Sequence, residues 1–98
     1  MLQAIKAILI NELKYTEYVA GTTARDLVNL QPQLKPALEK WLADRSTTDI
    51  TVESFSALQL MSDKGFTYPA ALIAMDWLLT EPEIAKKDLA SDIKRQGW

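Results

Sequence analysis

The chain has 98 residues, with 11 basic and 13 acidic side chains, a net charge of −2, and neither cysteine nor histidine. Those absences exclude disulfides, thiolate nucleophiles, zinc–sulfur sites and iron–sulfur clusters, and they remove the side chain that most often serves as general acid–base and metal ligand. Charge is balanced along the chain, with six acids and six bases up to Asp49 and seven acids and five bases after it, so no basic arm is offered for non-specific DNA binding.

The chain opens on an apolar stretch that stops at Asn11 and Glu12. It is too short for a signal-peptide core, and no segment approaches the roughly 20 apolar residues of a membrane span. The expectation is a soluble cytoplasmic chain with no membrane contact, organised as a single domain over residues 1–98. Leu2, Ile5, Leu9, Leu13 and Thr16 follow helical spacing, and Ile8 and Val19 widen the stripe. The spacing predicts a first helix over 2–19, ended by Gly21 as a left-handed cap. Thr23 and Asp26 resemble a capping box that opens a short helix through Leu27 and Leu30. Pro32 and Pro36 interrupt it, and Pro36 fits the first turn of a third helix that buries Leu38, Trp41 and Leu42 and ends near Arg45.

After a polar stretch over 46–49, Thr51 reads as an N-cap, with Ile50 and Phe55 at the positions of a hydrophobic staple and a helix running to Asp63. Gly65 fits its C-terminal cap. Thr67 caps the next helix, with Pro69 in its first turn, and from Tyr68 to Leu79 the one charge is Asp76. A helix apolar on nearly all faces is buried, so helix 68–79 is expected at the centre of the domain. Thr80 and Glu83 form the box for a last helix carrying Ala85, Leu89 and Ile93, with Lys94 and Arg95 at its negative end and Gly97 closing it. No segment alternates as a strand does. The fold class read from the sequence is all-α, a compact bundle of five or six helices.

Asp76, alone in an apolar helix, reads as a carboxylate held by a lysine or by the N-terminus of a neighbouring helix rather than as a catalytic acid. Asp88 and Asp92 share a helix face, but Lys87, Lys94 and Arg95 stand beside them, which favours a solvated face over a metal site. No catalytic, cofactor or metal residues emerge, and an enzyme is not expected. Ile10, Tyr15 and Tyr18 fall outside the main stripe of the first segment, and Trp98 follows a helix-ending glycine. These four are the candidate interaction residues, for a protein partner or a second copy of the chain in a homodimer.

Two stretches resemble known modules. Leu58 to Leu79, with Gly65 in the turn and Ala71 and Ala74 facing the first helix, resembles a helix-turn-helix unit, which implies DNA binding or regulation. Its second helix carries none of the Arg, Asn, Gln or Ser side chains that read bases. Gly65-Phe66, Ala71, Ala74-Met75, Glu83, Ala85 and Leu89, within 57–89, resemble a ubiquitin-associated domain, which implies a three-helix recognition module. Lys64 stands where that family carries an apolar residue before Gly-Phe, and Lys86 replaces another apolar position. The function expected from these readings is non-enzymatic, through protein–protein contacts.

Overall fold

The structure is a computed structural model and describes residues 1–90. In chain order the elements are α1 (Leu2–Asn11), α2 (Glu17–Val28), a 3-10 turn (Pro32–Leu34), α3 (Lys35–Asp44), β1 (Thr51–Val52), β2 (Phe55–Ser56), α4 (Ala57–Lys64), α5 (Tyr68–Thr80) and α6 (Pro82–Ala90). Among the described residues no helix is long and apolar enough to cross a membrane.

α5 is the hub, as its composition predicts. Ala70, Ala71, Leu72, Ala74 and Met75 are all fully buried. α2, α4, α6 and β1 pack around it. Three of those residues are alanines, whose small side chains let neighbouring helices approach closely. Its start is fixed by Thr67, whose side chain accepts a hydrogen bond from the Ala70 N–H, and by Pro69 in the first turn. The Tyr68 hydroxyl donates to the Thr48 carbonyl at 2.6 Å and accepts from the Thr48 N–H at 3.1 Å, so a polar tip is satisfied although Tyr68 is buried. α3 follows most of its sequence signals, with Pro36 at its start, Leu38 and Trp41 buried, and Arg45 at its end in the left-handed region at φ 65°, but Leu42, expected in the core, is half-buried at its edge. Gly65 ends α4 at φ 71°, a conformation that glycine adopts without a Cβ clash.

Four boundaries differ from the sequence reading. The helix expected over 2–19 is two helices, broken over 12–16. Lys14 takes φ 62°, its ammonium donates to the Asn11 carbonyl, and Thr16 caps the N-terminus of α2 by accepting from the Val19 N–H. Leu13 and Tyr15, inside the break, pack on the core. Tyr15 shares a hydrogen bond with the Thr67 hydroxyl, which ties the break to the start of α5. Burying these two side chains offsets the helical turns lost.

Gly21 and the Thr23–Asp26 pair therefore lie inside α2, neither ending nor starting a helix. Thr51 does not cap a helix either. Thr51–Val52 and Phe55–Ser56 form an antiparallel pair, Thr51 opposite Ser56 and Val52 opposite Phe55, so the chain does contain a small sheet. The cap of α4 is Ser56, whose hydroxyl accepts from the Gln59 N–H while donating to the Asp49 carboxylate. Ile50 and Phe55 still pack on the core, but from the hairpin and not from a helix. Lastly, Thr80 belongs to α5 and donates its hydroxyl to the Asp76 and Trp77 carbonyls. Glu83 pairs with Lys86 and forms no box with Thr80. The readings of Asp92, Ile93, Lys94, Arg95, Gly97 and Trp98 lie outside the described residues.

Candidate functional site

Two helical stripes face each other across a groove between α2 and α5. α2 contributes Tyr18, Val19, Thr22, Thr23 and Asp26, with Asn29 just past its end, and α5 contributes Ile73, Asp76, Trp77 and Thr80. Both sets step by three or four residues, which places each on one helix face. The groove encloses about 600 Å³, within the range of sites that hold small molecules or a few peptide residues. A smaller depression of about 250 Å³ lies beside the hairpin, between Phe55 and Lys64.

Asp76 sits on the α5 wall. One carboxylate oxygen accepts the Gln31 N–H at 2.8 Å. Gln31 is the residue from which the 3-10 turn starts, so its N–H is among those a helix start leaves without an internal partner. This is the structural role that the sequence favoured for Asp76. The bond also orients the carboxylate, because its other oxygen takes no hydrogen bond from a described residue.

Asp26 faces Asp76 from α2. Desolvation against the groove wall raises the Asp26 carboxyl above its ordinary value; the adjacent Arg25 pulls it down, and the negative charge of Asp76 pushes it up again. The Asp26 carboxyl thus feels the charge of Asp76 as well as that of Arg25, and among the described residues no lysine or arginine lines the groove.

Thr23 forms part of the floor and is 6% exposed. Among the described residues no buried side-chain polar atom lacks a partner, yet the Thr23 hydroxyl makes no hydrogen bond with any of them. That hydroxyl therefore reaches solvent through the groove. Tyr18, which is 79% exposed, and Trp77, whose indole N–H donates to Glu81 at 3.2 Å, line the same groove.

The three interaction candidates within the described residues do not share one site. Ile10 and Tyr15 are half-buried against the core, Tyr15 with its hydroxyl raised in pKa by that burial and used on Thr67. Of these three, Tyr18 lines the groove; Trp98 lies outside the described residues. Asp26, Thr23 and Trp77 were not recognised as groove residues from the sequence. The signal was present, since Tyr18, Thr22, Asp26 and Asn29 share one helical face once Thr16 is taken as the cap.

Asp88 is half-buried, and its partner in the expected pair, Asp92, is outside the described residues. Among the described residues no three carboxylates gather as a metal site would require. In the stretch that resembles a ubiquitin-associated domain, α4, α5 and α6 follow in order and Phe66 is buried behind Gly65. In the stretch that resembles a helix-turn-helix, α5 buries eight of its residues. Comparisons with protein-family models, with curated proteins and with solved structures found no match to the chain.

Proposed function

We propose that this chain is a non-enzymatic binding protein that takes a segment of another protein in the groove between α2 and α5. The observation that carries this reading is the union, in one groove, of an exposed tyrosine, a tryptophan, two carboxylates and an unpartnered threonine hydroxyl. Aromatic side chains flanked by polar groups are what protein interfaces concentrate. The sequence supports the non-enzymatic part, because with no histidine or cysteine the acid–base and nucleophilic work would fall on groups such as Asp76, which is engaged in holding Gln31.

A second copy of the chain is a poorer occupant than a different protein. A two-fold dimer built on this face brings two copies of the same carboxylate-bearing surface together, and like charges oppose association. A DNA-reading role is disfavoured by the burial of α5, which leaves few side chains on its surface to enter a groove of DNA.

Selection from a random peptide library against the full chain tests the reading. Enriched peptides should lose binding when Tyr18, which is largely exposed and outside the core, is replaced by alanine. Enrichment of peptides indifferent to Tyr18→Ala would move the function elsewhere on the surface.

A further inference from the structure

We infer that α1 is an exchangeable element: the segment over 12–16 straightens, α1 and α2 join into one helix over 2–28, and the α1 of each copy packs on the α2 of a second copy. The product is a two-fold dimer in which each chain completes the other. The groove between α2 and α5 persists in both copies, so the exchange is independent of the docking role. Its first support is the phase of the apolar residues. Ile5, Leu9, Leu13, Thr16, Ala20 and Ala24 step by three or four residues straight across the break. In one helix they form a single stripe. Such a helix is about 40 Å long, whereas the longest extent of the folded chain is 32 Å. α1 then stands clear of its own copy, and Ile5 and Leu9, fully buried in the folded chain, lose their cover. The α2 of a second copy is the helix that α1 already fits.

The second support is the hinge. It is short, and Lys14 within it takes φ 62°, a conformation that penalises any residue with a Cβ. Straightening returns Lys14 to the right-handed region and adds helical hydrogen bonds across the break. Short hinges under strain favour exchange, because opening relieves the strain while the contacts of the exchanged element are remade by its partner.

The third is which contacts survive. Among the described elements, α1 packs chiefly on α2, so most of its packing reappears between copies. The Lys6 ammonium and the Glu17 carboxylate, 3.6 Å apart across the two helices, then pair between chains. The contacts given up belong to the hinge: the Tyr15 N–H on the Leu9 carbonyl, the Tyr15 hydroxyl on Thr67, and the pairing of Glu12 with Arg45. Those contacts hold the single chain closed at low concentration, and mass action favours the exchanged dimer at high concentration.

The test refolds equal amounts of unlabelled and heavy-isotope-labelled full chain together from urea at millimolar concentration. Size exclusion separates monomer from dimer, and a carbodiimide then joins Lys6 to Glu17 as an amide. Mass spectrometry of the dimer should find light–heavy Lys6–Glu17 links, whereas the monomer should give links within one label alone. Tyr15→Phe removes a hinge hydrogen bond from both copies and should strengthen dimerisation by about tenfold or more in sedimentation equilibrium. Lys14→Gly relaxes the turn and penalises the straight helix, so it should weaken dimerisation by about tenfold or more. No dimer from either the parent chain or Tyr15→Phe overturns the inference. A dimer whose Lys6–Glu17 links all lie within one label also overturns it, since the copies then meet through another surface. So does dimerisation that Lys14→Gly leaves unchanged.

Discussion

The Asp76 carboxylate in α5 accepts a hydrogen bond from the backbone N–H of Gln31 at 2.8 Å, across 45 positions of sequence. It joins the buried central helix to the turn that follows α2, and so fixes the two walls of the groove relative to each other. The donor is a part-buried N–H at the start of a 3-10 turn. Leaving such a group without an acceptor costs more than the net value of an ordinary hydrogen bond. Asp76→Ala should therefore destabilise the fold by about 1.5–3 kcal/mol in urea denaturation. Asp76→Asn, which keeps an oxygen for Gln31, should cost roughly half of that or less. Equal losses for the two would show that the carboxylate acts by its charge and not as an acceptor.

Gly21 gives a prediction of opposite sign. It lies inside α2, not at the end of a helix, and a Cβ built on it meets nothing nearer than the Lys6 Cε at 3.9 Å. Gly21→Ala keeps the helical backbone and lowers the entropy of the unfolded chain, so it should stabilise by about 0.5–1 kcal/mol. Loss of stability on that substitution would mean that the α1–α2 interface is tighter than described.

The hairpin turn holds its own strain. Glu53 and Ser54 both take positive φ, at 52° and 73°, between strands of two residues each. A two-residue turn with both φ values positive normally carries Asn-Gly or a similar pair. Glu53 is useful where it stands, because its carboxylate meets the Lys86 ammonium at 3.3 Å. Ser54→Gly should stabilise by about 0.5–1 kcal/mol, and Ser54→Val should destabilise. Thermal melts of the two variants beside the parent chain check both signs.

Two aspartates should titrate in opposite directions. Asp49 accepts from the Ser56 hydroxyl first and the Leu58 N–H second, and these bonds hold its carboxyl below the ordinary value. The stability it contributes is present above its unfolded pKa and is lost as pH falls through the lower folded pKa. Asp26 is raised, chiefly by desolvation. Its contribution is fully present below the unfolded pKa and is lost as pH rises through the higher folded one. Carboxyl-carbon titration should place Asp26 above and Asp49 below the usual aspartate range. At neutral pH, Asp26→Asn should raise the melting temperature slightly, whereas Asp49→Asn should lower it.

How far the sequence could be read depends on how local each signal is. Thr67, Pro69 and Gly65 act within one turn of their own helix, and the burial of α5 follows from its composition alone. The break between α1 and α2 was hidden because Leu9, Leu13 and Thr16 keep helical phase across it. The left-handed residue that makes the turn is Lys14, where a glycine or asparagine is the usual marker. The same masking occurs at Glu53 and Ser54. Arg45 is a fourth non-glycine at positive φ; its guanidinium binds both oxygens of Glu12, at 2.8 and 2.6 Å, and lies over the Trp41 ring. Such contacts hold a left-handed residue in place through partners distant in sequence, which a local pattern does not reveal. The groove suffered from the misplaced α2 boundary. With Thr23 and Asp26 assigned to a cap, the face they share with Tyr18 was lost, although Asp76 on the opposite wall stood out as the lone charge in its helix.

Amide chemical-shift mapping of the full chain with a library-selected peptide bears on all of this at once. Binding in the groove predicts perturbations at Tyr18, Thr22 and Asp26 on α2 and at Ile73, Trp77 and Thr80 on α5, the residues that line it. Perturbations centred instead on Lys64, Gly65 and Phe66, with the α2 residues silent, would contradict a docking role for the groove and place recognition on the face that resembles a ubiquitin-associated domain.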